Sequence, residues 1–280
     1  MQGTSVSLTA TTVDHLRQRY ARDFRPDDAF VVVVGDIDRA ALESALQGAF
    51  GAWAAPRDPP SSPRIVEPPS RARVDVVVVP RPAAVQSALV VAAPIPVDVP
   101  PLHAPSAVMQ TLLGGSFTSR LNDNLREEHG YSYGARYGYE VWPTHHSLVS
   151  TTVSTAVTIP ALEQIHSELA RIREPASVDE IARARSYEAL SFPAFLDGGA
   201  SIAATLASWL ERGLADDLIA GYTARVLAVD AAAVQRAAER LVDPTRQVVV
   251  VVGDVDPAAL ARFGRVTTLA VDELLPLPAP

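Results

Sequence analysis

The sequence predicts an α+β fold, a two-layer α/β sandwich in which a mostly antiparallel sheet carries helices on one face. Three observations predict it. Strand-like runs come in clusters, with helical runs between and after them rather than in strict alternation. A Val-Val-Val-Val-Gly-Asp-x-Asp run occurs twice, at residues 31–38 and 249–256, an offset of 218 residues from Gly35 to Gly253. Hydrophobic residues make up 48% of the 280-residue chain, which is enough to build one large core.

The repeat extends beyond that run. At the same offset Leu16–Phe24 matches Val234–Val242, and Arg25-Pro26 matches Asp243-Pro244. Each copy therefore reads helix, Pro turn, buried strand, Gly-Asp turn, helix. A repeat of this length implies that roughly 140 residues of the first copy precede Met1. The expected domains are thus the tail of a first, truncated repeat at 1–55, a linker at 56–72, a complete second repeat at 73–272 and a tail at 273–280.

Taken in order, Thr12 caps a helix to about Phe24, a buried strand covers about Phe30–Gly35, and a helix runs from about Arg39 to Phe50. Residues 54–70 then carry six prolines, too many for either helix or ladder hydrogen bonding. Strands are expected at Val74–Val79 and Gln86–Ala93, helices at Ala104–Leu113 and Ser116–Glu128, and a hairpin at Ser132–Val141 with Leu148–Ala156. After Pro160, Leu162, Ile165, Leu169 and Ile172 fall on one helical face. Ser177 with Glu180 forms a capping box for a helix that Phe192-Pro193 ends. Helices at Ser201–Glu211, Asp216–Leu227 and Asp230–Leu241 lead to a closing strand, Val248–Val252.

Composition excludes several function classes. The chain has no cysteine, so disulfides and thiolate metal sites are out. A net charge of −8 and a pI near 5.2 argue against nucleic acid as a partner. No run reaches the roughly 18 apolar residues of a membrane span, and the start lacks a charged n-region and an apolar h-region. The compartment is not encoded here, and a soluble cytoplasmic protein is the default expectation. All 24 basic residues are arginine, which reads as coding bias.

The chemistry concentrates between Leu112 and Tyr139. Gly114-Gly115 permits a tight break, Ser116 is expected to cap a new helix, and Phe117, Leu121 and Leu125 are expected to form its buried stripe. Gly130 ends that helix, Arg126 lies in its last turn, and Tyr133 enters the next strand.

Gly114-Gly115-x-Phe117-x-Ser119-Arg120-Leu121, followed by Leu125-Arg126-Glu127-x-x-Gly130-x-x-Tyr133, resembles the C-terminal, non-catalytic half of the pitrilysin and insulinase family of zinc metallopeptidases. That family includes mitochondrial processing peptidases and respiratory-chain core proteins. The Gly-Asp ending of each copy, the repeat length and the Pro-rich linker resemble its layout as well. The resemblance implies the processing-peptidase version of the sandwich, with two homologous halves closing around a peptide or unfolded-protein substrate. It also implies that zinc sits on a His-x-x-Glu-His helix in the N-terminal half or a partner chain. The six histidines, His15, His103, His129, His145, His146 and His166, form no such motif, so this chain is expected to bind no zinc and to be inactive alone.

By the same resemblance, Arg126 and Tyr133, seven residues apart, assist in the partner half's active site. A phenol can donate to a carbonyl oxygen that is gaining charge, and a guanidinium can orient a peptide backbone or carboxylate. The plain alternative is a helix-end charge and a sheet residue. A whole-chain alternative is a non-catalytic structural or binding subunit that partners a zinc-bearing chain. Other pairs read as structural: Glu163 and His166 lack the second helix that a carboxylate metal site needs, and His145-His146 is expected in a solvated turn with its rings on opposite faces. Gly35-Asp36 and Gly253-Asp254 lack the Lys and the glycines of a phosphate loop.

Overall fold

A computed structural model describes residues 5–56, 73–99, 103–141, 145–214 and 220–271. The chain divides into two compact units, Met1–Arg64 with Ala194–Gly213 and Leu275–Pro280, and Ile65–Pro193 with Leu214–Leu274.

The second unit is built on one six-stranded mixed sheet. Its strands are β1 (Asp75–Pro80), β2 (Gln86–Pro94), β3 (Ser132–Glu140), β4 (His146–Ser154), β5 (Val248–Gly253) and β6 (Arg265–Thr268), in the order β3-β4-β2-β5-β1-β6. Pairings β2–β4, β2–β5 and β3–β4 are antiparallel, while β1 runs parallel to both β5 and β6. β-Branched valines dominate the centre, where a pleated, packed surface favours them. Burial alternates along β2, β4 and β5. Ser87, Leu89, Val91, Val149, Val153, Val249 and Val251 therefore share the core face.

Helices supply the other half of that core. Thr158–Arg171 buries Leu162, Ile165 and Leu169, as its spacing predicts. Ala231–Leu241 buries Val234, Ala238 and Leu241 behind an Asp230 cap that accepts from Ala233 N–H. Val178–Ser191 begins with the expected capping box, Ser177 and Glu180 exchanging both bonds. The helix Ala104–Gln110 continues as a wide π turn, Thr111–Gly115. Residues 216–219, the start of the helix expected to end at Leu227, lie outside the described residues, as do 57–72 of the linker and the whole tail, 273–280.

The Gly-Asp turn after β5 has a packing explanation. A β-carbon on Gly253 would overlap Ser87 Oγ and come within 2.9 Å of Ser87 Cβ, so only glycine fits against β2 there. Asp254 Oδ2 accepts the amide of Ala83, which sits at a φ of +62° in the β1–β2 turn, at 3.0 Å. Two residues on, Asp256 accepts Ala258 N–H at 2.9 Å and starts the short helix Pro257–Arg262.

The first unit contains the helices Ser5–Thr9, Val13–Asp23, Arg39–Phe50 and Gly199–Glu211. Thr12 and His15 form a capping box for the second of these. Asp38 accepts the amides of Ala40 and Ala41 at 2.9 and 3.0 Å and caps the third, repeating the job of Asp256. The expected strand Phe30–Gly35 does not form: residues 29–34 belong to no helix or strand, and Phe30, Val31, Val33 and Val34 are exposed. A strand is defined by its partners, and none lies beside these residues among those described. Gly35, the counterpart of Gly253, has nothing within 4 Å of a β-carbon placed on it.

No single helix among the described residues is long and apolar enough to cross a membrane.

Candidate functional site

Thr111 to Glu128 folds as two wide turns, Thr111–Gly115 and Asp123–Glu128, with the short helix Arg120–Asn122 between them, and packs against β3. Gly114 is the contact point: a β-carbon there would overlap Tyr137 N and stand 2.7 Å from Tyr137 Cβ, so a side chain would lift the π turn off the strand. Ser116 does not cap a helix. Its hydroxyl donates to Thr111 O at 3.3 Å, and the next helix starts at Arg120 with Ser119 before it. Phe117 therefore precedes the helix instead of lying on its inner face. It is 63% exposed, whereas Leu121 and Leu125 are fully buried as expected.

Arg120 is the buried charge of the segment. Its Nε and Nη2 donate to the two Glu180 oxygens at 2.7 and 3.1 Å, and Nη1 donates to Arg171 O at 3.2 Å. Arg120 is 8% exposed. Its hydrogen bonds, helped by those from Ser177, pull the Glu180 carboxyl down to about 2 against the cost of burial. This fork ties the start of one helix to the capping box of another.

From Asn122 the chain continues as the wide turn Asp123–Glu128. Arg126 falls in it, as expected. Its guanidinium carbon lies 4.0 Å from the centre of the Phe117 ring, a cation–π contact. Its Nη1 is enclosed and makes no hydrogen bond, although Glu127 Oε1 is 3.5 Å away. Gly130 ends the turn at a φ of +63°, and Tyr131 N–H returns to Leu125 O at 2.7 Å. His129 and Tyr131 stack with ring centres 4.9 Å apart.

Tyr133 is the second residue of β3 and is 94% exposed. Its hydroxyl has no hydrogen-bond partner among the described residues. The two residues flank the Gly130 bend on consecutive elements. A crevice of about 250 Å³ lies elsewhere, among His103, Ser106, Arg236 and Arg240.

The histidine and carboxylate pairs noted in the sequence make ordinary packing contacts. His166 Nδ1 lies 2.8 Å from Leu162 O and its ring stacks on Phe263, while Glu163 pairs with Arg262 at 2.9 Å. His145 is buried rather than in a solvated turn, and its carbonyl accepts Ile95 N–H at 3.2 Å. Among the described residues no three His, Asp or Glu side chains converge on a point that could hold a metal.

Three residues that the sequence reading passed over organise the site: Arg120, Asn122 and Thr151. Their partners, Glu180, Ala135 and Gly134, lie on other elements, so spacing gave no signal for any of the three bonds.

Known proteins resemble both this segment and the fold that carries it. The family described as the peptidase M16 inactive domain matches residues 10–187. No curated protein sequence matches significantly. Among solved structures, a peptidase M16 inactive domain from Pseudomonas fluorescens superposes with a TM-score of 0.76 at 19% identity, over 90% of this chain and 60% of that one. A protease from Helicobacter pylori gives a TM-score of 0.80 at 16% identity, over 89% and 61%. A putative M16-like peptidase from Alicyclobacillus acidocaldarius gives 0.69 at 20%, over 89% and 60%. The chain thus spans about three fifths of the length of these structures. By the match over residues 10–187, the chain belongs to the peptidase M16 family and carries that family's inactive, non-catalytic domain.

Proposed function

We propose that the chain is the substrate-binding, non-metal-bearing C-terminal portion of a zinc-dependent metalloendopeptidase and is inactive alone. Zinc, in this reading, is held by a homologous half, either earlier in the same polypeptide or on a separate subunit, and it supplies the activated water. Residues 1–55 are then the end of that half, and 73–272 the complete second one. This chain contributes two side chains to a polypeptide held between the halves. The Tyr133 hydroxyl donates to the scissile carbonyl oxygen as negative charge builds on it, and Arg126 orients the backbone or a carboxylate.

The observation that carries this reading is the exposure of Tyr133. A tyrosine at the second position of an edge strand stands out into solvent with an uncommitted hydroxyl, one bend away from an arginine whose Nη1 makes no hydrogen bond. A purely structural tyrosine has its phenol packed or bonded, as Tyr222 does through Glu188 at 2.8 Å.

Peptide hydrolysis by the chain combined with its zinc-bearing half tests the reading. Tyr133→Phe should lower kcat about a hundredfold, the scale of a lost oxyanion donor. Unchanged kcat would overturn the assignment. The second reading, a structural or binding subunit, is favoured by the packing of Arg126, whose guanidinium rests on the Phe117 ring with Nη1 enclosed. It predicts that the same variant leaves both hydrolysis and assembly untouched.

A further inference from the structure

Ala135 and Tyr137 both point into the core, at 1% and 3% exposure. Side chains alternate along a strand, so unbroken pairing would turn Tyr133 to that same buried face. Instead Ser132 is buried and Tyr133 stands in solvent. One extra residue makes the difference. Ser132 pairs with Val153 and Ala135 with Thr151, so three steps along β3 match two along β4. Such bulges re-aim the side chains around them.

This bulge is pinned from two sides. Asn122, 7% exposed, accepts the Ala135 amide through Oδ1 at 2.8 Å. Thr151 Oγ1 donates to the Gly134 carbonyl at 2.9 Å. The other end of the Asn122 carboxamide holds the turn before the helix, with Nδ2 donating to Ser116 O at 3.0 Å and Ser119 Oγ at 3.2 Å. That turn presents Phe117, on whose ring the Arg126 guanidinium rests. One buried amide therefore has its oxygen on the strand of Tyr133 and its nitrogen on the turn that seats Arg126.

We propose that Asn122 is a positioning residue. With Thr151 it pins the bulge that turns Tyr133 out of the core, and it holds the Phe117 turn beneath Arg126, so that both side chains face a polypeptide between the halves. The proposal rests on the reading of Tyr133 and Arg126 as substrate-facing. Asn122 itself is buried and acts through the backbone of Ala135 and Ser116.

Hydrogen exchange and mapped tyrosine nitration on the whole chain test it, with Asn122→Leu, Thr151→Val and the conservative Thr151→Ser. In the first two, the Ala135 amide should exchange about tenfold faster or more, as expected for a lost hydrogen bond. Nitration of Tyr133 should fall several-fold relative to the exposed Tyr20. Thr151→Ser should behave as wild type, and Val249 and Val251 amides in mid-sheet should stay protected in all three. Wild-type exchange at Ala135 with wild-type nitration at Tyr133 in the Leu and Val variants would overturn the proposal. If Asn122→Leu fails to fold, Thr151→Val carries the test alone. With the zinc-bearing half present, Asn122→Leu should lower kcat, with no added loss when combined with Tyr133→Phe. A moved bulge with unchanged kcat would overturn the substrate-facing reading of Tyr133 while leaving Asn122 as the residue that turns it out.

Discussion

Arg120 and Glu180 meet in a two-pronged ion pair, 2.7 and 3.1 Å, that fastens the helix leading to Arg126 onto the capping box of Val178–Ser191. Arg120→Met leaves a carboxylate without its cation and should cost about 3 kcal/mol in urea unfolding, the low end for a broken buried pair because Glu180 keeps some solvent contact. Glu180→Gln should cost less, since the amide still accepts a bond from Arg120.

The same pair sets an acid limit. Glu180 has a carboxyl depressed to about 2 from an ordinary 4.5. A depressed carboxyl adds stability above its unfolded value and loses it as pH falls toward its folded one. Stability should therefore decline between about pH 4.5 and 2. Glu180→Gln should flatten that part of a pH-dependent melting curve, and an unchanged slope would rule out Glu180 as its source.

Gly253 and Gly35 offer a matched comparison. Gly253→Ala drives a methyl into Ser87 and should destabilise the chain by about 1–3 kcal/mol, partly recovered by adding Ser87→Gly. Gly35→Ala meets open space and should stay within about 0.5 kcal/mol of wild type. Chemical denaturation of the variants decides it.

Exchange of backbone amides should separate the two valine runs. Val249–Val252 lies between β1 and β2 and should be among the slowest-exchanging segments. Val31–Val34, unpaired among the described residues, should exchange within seconds in the isolated chain. Binding of a zinc-bearing half should slow it, and slow exchange without any partner would contradict its unpaired state.

Zinc should not be retained. Dialysis against a zinc buffer followed by elemental analysis should find no stoichiometric metal on the chain, and the isolated chain should cleave no peptide. One tightly held zinc per chain would overturn the assignment of the metal to another half.

Local signals in the sequence were legible almost to the residue. Thr12 and Ser177 each start the helix they predict, because a cap is decided within four residues. Arg126 in a last turn and Tyr133 in a strand followed from Gly130. Features decided at a distance were not legible. Phe30–Gly35 has strand composition but no neighbour among the described residues, and β6, Arg-Val-Thr-Thr, has a neighbour in β1 but is only four residues long, too short for a periodic signal. Phe117 was placed inward by assuming a helix from Ser116, whereas the chain first makes a non-helical turn bonded to Asn122. The Arg120–Glu180 pair spans 60 residues and the Asn122–Ala135 bond joins two elements, so neither has a signature in spacing.

The bulge at Gly134 makes the outward stance of a phenol depend on chain length rather than on side-chain identity. Losing one codon there would restore strict alternation and store the same tyrosine among the core residues. In chains of this kind, an insertion or deletion in an edge strand is thus a route by which a surface group can be withdrawn or offered with no substitution at all.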